Sequence, residues 1–255
     1  MARDAILPYE TEMNRRQLLA SVAASTFLNP ALAQAAEWET RLITSSASGE
    51  LLYGLHIKLA RGWKTYWRVP GVAGIPPAIK LAGPDIESFT VDYPLPIRII
   101  DESGEALGYH DEVVFILRPK LKPEVKPEKV SGTLSAFFGV CQNICRPVKF
   151  AADLSSAVAD DSLMQQFQKR VPRASDFATK ATQKGDQLEI ALNQVVQDLF
   201  IDGPAELYFH KPTFGMGYAK LKIDGLTPDQ KIQGKELKMT AVVDGDGLEQ
   251  TVIVA

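Results

Sequence analysis

Cysteine is scarce in this chain: Cys141 and Cys145 are the only two among 255 residues. Two thiols exclude a disulfide framework and a four-cysteine zinc site. An excess of basic charge is missing too. Lys plus Arg number 28 against 31 Asp plus Glu, a net charge of −3, which argues against a nucleic-acid partner. Histidines are few, and His56, His110 and His210 stand at no metal-ligand spacing. There is no Gly-rich phosphate loop and no G-x-S-x-G elbow. The run Asp244-Gly245-Asp246-Gly247 lacks the frame of a calcium loop and reads as a hairpin turn. Neither a cofactor nor a metal is therefore expected. Beyond residue 35 nothing approaches 18 uninterrupted apolar residues, so no membrane span is expected in the mature chain.

What is present begins with an export signal. Arg15-Arg16 precede an uncharged apolar run from Leu18 to Leu28. Ala31-Leu32-Ala33 and Ala33-Gln34-Ala35 follow, and both fit a small-residue cleavage site. Residues 1–35 are read as a cleaved signal peptide. Asn14-Arg15-Arg16-Gln17-Leu18-Leu19 is similar to a twin-arginine signal, with Ala20 where lysine is common, so both export routes stay open. A bacterial signal of this type implies the periplasm, an oxidising compartment where a cysteine pair can be a disulfide.

The stretch 38–154 alternates as half-buried strands do, in Arg41–Thr44 and Leu51–Leu59. Val113–Leu117 is wholly apolar, as a central strand would be, and prolines punctuate the rest. This pattern indicates a β-sandwich or barrel over 36–156. Around 157–175 the period changes: Asp161 or Ser162 is expected to cap a helix carrying Leu163, Met164, Phe167 and Val171, ended by Pro172. It reads as a linker helix. Strand patterns return with Asp-Gly turns over 176–255, a second and smaller sandwich.

The chemistry sits in Cys141-Gln142-Asn143-Ile144-Cys145. Three intervening residues can form a tight hairpin loop that brings the thiols within disulfide reach. As a staple such a bridge is poor, about 2 kcal/mol for a loop of about five residues against about 4.7 for a hundred. Arg146 adjoins Cys145 and is expected to favour its thiolate, which makes Cys145 the partner-facing sulfur. Spacing alone leaves a structural hairpin disulfide and an exchange-active pair equally open. Gly62-Trp63-Lys64-Thr65-Tyr66-Trp67-Arg68 reads as core aromatics with snorkelling cations. Leu107-Gly108-Tyr109-His110-Asp111-Glu112 reads as a surface connection.

Several of these stretches, taken in order, resemble the N-terminal periplasmic region of the ScsB/DsbD-type disulfide reductases. They are Gly54–Leu59, Gly62–Gly71, Gly74-Ile75-Pro76-Pro77, Leu107-Gly108-Tyr109 and Gly139-Val140-Cys141 to Cys145-Arg146-Pro147. The resemblance covers residues 38–154, and more weakly 160–255. It implies an immunoglobulin-like fold, so that the whole reads as all-β, two immunoglobulin-like sandwiches joined by a short helix. It also implies a redox-active Cys141–Cys145 pair at a strand-loop-strand hairpin, under a cap loop at Leu107, Gly108 and Tyr109. Implied partners are thioredoxin-like redox proteins, periplasmic or membrane-tethered. The long family members carry a transmembrane electron channel and a thioredoxin-like C-x-x-C that this sequence lacks. The expectation is thus a protein-disulfide-reductase-like oxidoreductase that depends on others for electrons. Two alternatives are a non-enzymatic periplasmic binding module with a structural disulfide, and a copper-tolerance protein holding Cu(I) on two soft thiolates.

Overall fold

A computed structural model describes residues 36–72, 74–102, 104–227 and 229–255. The signal peptide expected over 1–35 lies outside the described residues. The first part of the chain runs β1 (Trp38–Ser45), β2 (Leu52–Leu59), β3 (Lys64–Gly71), β4 (Ala78–Ala82), β5 (Ile86–Asp92), β6 (Ile97–Asp101), β7 (Gly104–His110), β8 (Glu112–Leu121), β9 (Thr133–Cys141) and β10 (Cys145–Asp153). Then come β11 (Val158–Ala159), α1 (Asp161–Gln168), β12 (Arg173–Ala174), β13 (Ala178–Lys184), β14 (Gln187–Leu192) and β15 (Asp198–Asp202). The last are β16 (Tyr208–Phe209), β17 (Thr213–Gly215), β18 (Tyr218–Asp224), β19 (Glu236–Val243) and β20 (Asp246–Ile253).

Four sheets result. One has the order β11-β1-β2-β8-β5, and its companion β10-β9-β3-β7-β6, with β4 sharing the edge of β9. Leu55 and Phe115 from the first sheet and Trp67, Tyr109 and Phe138 from the second enter one apolar cluster. Tyr109 and Phe115 meet edge to face across the layers, 5.7 Å between centroids. The other two sheets are β12-β20-β19-β15 and β13-β14-β18-β16, and they enclose a second cluster around Leu188, Leu221, Leu237 and Met239. The architecture is all-β, as the strand pattern indicates, and immunoglobulin-like, as the resemblance implies.

Val113–Leu117 lies inside β8, between β2 and β5. Its unbroken apolar run has a cause: α1 lies against β1 and β8 and covers a face that would otherwise meet water. Met164 and Phe167 of α1 are buried in the first cluster, so the helix read as a linker is docked on the first sandwich. Its cap is Asp160, one residue earlier than expected, whose carboxylate accepts from the Leu163 amide at 3.1 Å. Arg41 and Ser45 of β1 hold Asp160 and Asp161, which fixes the helix start to the sheet.

The Asp244-Gly245 turn joins β19 to β20 in two residues, both at positive φ (51° and 85°). That is the twist a two-residue hairpin demands, and it is why Asp-Gly stands there.

Residues 36–255 form one compact unit, and side chains cross between the sandwiches. Phe200 of β15 is buried in the first cluster and meets Trp67 at 6.0 Å. Arg68 of β3 pairs with Asp202 and Glu249, and Arg98 of β6 pairs with Asp198.

Candidate functional site

Antiparallel pairing fixes the site. Cys145 opens β10 as the register partner of Cys141, which closes β9, so Gln142-Asn143-Ile144 form the hairpin loop that the spacing predicts. The two sulfurs are joined in a disulfide, with the Cα atoms 4.1 Å apart. Directly opposed residues share a face of a sheet. Cys141 also faces Lys64 of β3, which faces His110 of β7, so Cys145, Cys141, Lys64 and His110 form a row on the face away from the core.

Alternation along each strand then sorts the neighbours. On β9, Phe138 and Val140 turn to the core, and Cys141 turns away. On β3, Trp63 and Trp67 turn to the core, while Lys64 and Tyr66 lie on the sulfurs' side. The Tyr66 hydroxyl lies 2.9 Å from Cys141 Sγ, to which it donates, and 3.1 Å from Cys145 Sγ. Burial, and after it the negative charge of Asp101, push the Tyr66 hydroxyl above its ordinary pKa. It stays protonated and available as a donor.

The two cysteines differ in access. Cys141 is 1% exposed and packs with Tyr66 and Ala106 in a small cluster of its own. Cys145 is exposed, and Ile144 beside it is 76% exposed. Lys64 is buried, and its ammonium donates to Asp101 at 2.5 Å. The tip of the β6–β7 hairpin thereby reaches the cysteine loop. Asp101 and Glu102 line an open recess there with Gly62, Gln142 and Asn143.

Three sequence expectations change here. Leu107, Gly108 and Tyr109 are part of strand β7 and not of a cap loop. Leu107 and Tyr109 alternate into the core, and the Tyr109 hydroxyl donates to the Pro94 carbonyl at 2.8 Å. Gly108 lies opposite Tyr66, where a Cβ would stand 2.0 Å from the Thr65 carbonyl oxygen, so only glycine lets β7 approach β3. The residue of β7 that shares the buried cluster of Cys141 and Tyr66 is Ala106. Arg146 also does something different. As partner of Val140 it leaves the opposite face of β10, stacks over Trp63 at 5.2 Å and pairs with Glu37. Its charge is spent on Glu37 and not on a sulfur. The expected surface connection at Leu107–Glu112 is in fact β7, a one-residue turn at Asp111 and the start of β8.

Lys64 and Tyr66 were hidden in a run that reads as core aromatics. The signal is its period of two: Trp63, Thr65 and Trp67 on one face, Lys64, Tyr66 and Arg68 on the other. Among the described residues no group of three or more His, Cys, Asp or Glu stands where it could hold a metal ion, and no helix is long and apolar enough to cross a membrane.

Residues 33–154 match the family described as Thiol:disulfide interchange protein DsbD, N-terminal. The fold is similar to the crystal structure of the N-terminal periplasmic domain of ScsB from Proteus mirabilis. The TM-score is 0.65 at 21% sequence identity, over 86% of this chain and 92% of that chain. No curated protein matches the chain. The hairpin disulfide thus lies within the matched residues, and over 33–154 the chain carries a domain of the DsbD/ScsB N-terminal type.

Proposed function

We propose that this chain is a periplasmic thiol–disulfide exchange protein that relays electrons to or from thioredoxin-like partners through Cys141 and Cys145. The observation that carries the reading is the unequal access of the two sulfurs, one exposed and one buried under a hydroxyl donor. Periplasmic location is supported by the signal pattern of residues 1–35 and by the periplasmic relative. The division into domains 36–156 and 176–255, with 157–175 between them, is supported by the two separate apolar clusters.

In the proposed reaction a partner thiolate attacks the exposed Cys145 Sγ. The Cys141–Cys145 bond breaks and a partner–Cys145 disulfide forms. Cys141 leaves as a thiolate with the Tyr66 hydroxyl already directed at it. That donor is shared with the disulfide but gains strength when the sulfur becomes an anion. The partner's second thiolate then attacks its own mixed-disulfide sulfur and releases Cys145 as a thiolate. Two electrons pass from partner to pair, the partner leaves oxidised, and two protons are taken up as both thiols re-form. With an oxidised partner the sequence runs backwards, with Cys145 as the attacking group.

The test uses the single-cysteine variants. Cys141→Ser should accumulate mixed disulfides through Cys145, and Cys145→Ser should accumulate few, because Cys141 is covered. Equal trapping by both, or by neither, sinks the reading. A reduction potential below about −300 mV by glutathione equilibration also sinks it, because that marks a structural bridge.

A further inference from the structure

The β6–β7 hairpin is held at two places. At its tip Asp101 meets Lys64, the strand partner of Cys141, and on β7 Ala106 shares a buried cluster with Tyr66 and Cys141. At its base stands Arg98, whose side chain is only 6% exposed. Arg98 Nε and one terminal nitrogen form a fork on the Asp198 carboxylate at 3.0 and 2.9 Å, and the same nitrogen donates to the Leu199 carbonyl at 3.2 Å. Its other terminal nitrogen binds Glu105, so one guanidinium ties β6 to β7 and both to β15. Phe200 lies beneath it, 5.2 Å from the guanidinium carbon. Asp198, Leu199 and Phe200 all belong to the second sandwich.

We infer that the second sandwich sets the position of the hairpin that covers Cys141, with Arg98 as the positioning residue and Asp198 as its anchor. The functional consequence rests on the exchange reading of the pair; the positional claim does not. A two-point fork on a planar guanidinium fixes direction as well as distance, and shielding from water makes it stiffer than a surface pair. The hairpin then has little freedom to lift from the sulfur. The second sandwich controls access to Cys141 without touching it.

The chain supplies its own control. Asp198 and Asp202 close the two ends of β15, and each binds an arginine of the first sandwich. Asp198 binds the hairpin, whereas Asp202 binds Arg68 on β3, which Glu249 also holds. The experiment compares Asp198→Asn with Asp202→Asn in the reduced full chain. It measures the rate at which iodoacetamide alkylates Cys141, and amide exchange over residues 97–107. Asp198→Asn should raise both by about fivefold, the shift in a local opening equilibrium when a hydrogen bond to a charged group is weakened. Asp202→Asn should leave both within about twofold, the range of a loosened contact elsewhere. No change in either variant, or an equal rise in both, overturns the inference. Neither readout needs a redox partner, so failure of the exchange reading would appear in the trapping experiment and not here.

Discussion

The two sandwiches keep their polar groups in different places. Among the described residues, Ser45, His56, Lys64 and Thr65 are buried in the first, and only Thr240 is buried in the second. The second sandwich has an apolar interior, and its Asp198, Asp202 and Glu249 meet arginines of the first. Burying a polar group without a partner costs about 1–3 kcal/mol in proteins. His56 is satisfied between Arg41 and Glu112, Thr65 on the Gly139 carbonyl and Lys64 on Asp101, whereas Thr40 Oγ1 and Trp67 Nε1 are buried with no hydrogen-bond partner. Of the satisfied groups, Lys64 and Thr65 adjoin the cysteine hairpin. Polar burial concentrates in the half that carries the disulfide.

The largest expected effect tests whether the two halves are separable. Phe200 belongs to the second sandwich by strand and to the first by packing, so Phe200→Ala should cost about 3–5 kcal/mol. All three tryptophans, Trp38, Trp63 and Trp67, lie in the first sandwich. Urea unfolding followed by their fluorescence should therefore register the loss. An unchanged midpoint would make the halves independent.

A second effect is confined to acid and belongs to the first sandwich. Burial lowers the His56 pKa, against the opposing pull of Glu112. The unfolded chain then binds a proton that the folded chain refuses. The stabilisation is complete above the ordinary value of about 6.5 and is lost as pH falls from there toward the folded value. His56→Leu should remove this part of the pH dependence, measured as unfolding midpoints between pH 5 and 8. An unaltered profile would refute the assignment.

The smallest effect concerns the sulfurs themselves. Tyr66→Phe removes a hydroxyl that favours the reduced pair more than the disulfide. A loss of about 1 kcal/mol makes the reduction potential about 20 mV more negative, readable by glutathione equilibration. A shift to less negative values would reverse the role given to Tyr66.

Much of the fold was legible because it rests on local periodicity. The apolar run in β8, the Asp-Gly turn before β20 and the three-residue cysteine loop are all short-range signals. The cysteine pair was legible for the same reason. Its surroundings were not, because Tyr66 and Cys141 are 75 residues apart and only the pairing of β3 with β9 brings them together. Strand parity alone would have placed Lys64 and Tyr66 on one face and turned Leu107 and Tyr109 to the core. Arg146 misled because adjacency in sequence means opposite faces in a strand.

The register of β9 and β10 has a kinetic side. Because Cys141 and Cys145 face each other across a ladder, each thiol sees its neighbour at a fixed and high effective concentration. A small external thiol bonded to Cys145 would meet an intramolecular competitor before a second external one arrived. In the proposed exchange the hairpin would therefore favour partners that bring two thiols of their own over stray monothiols, by the order in which collisions can occur.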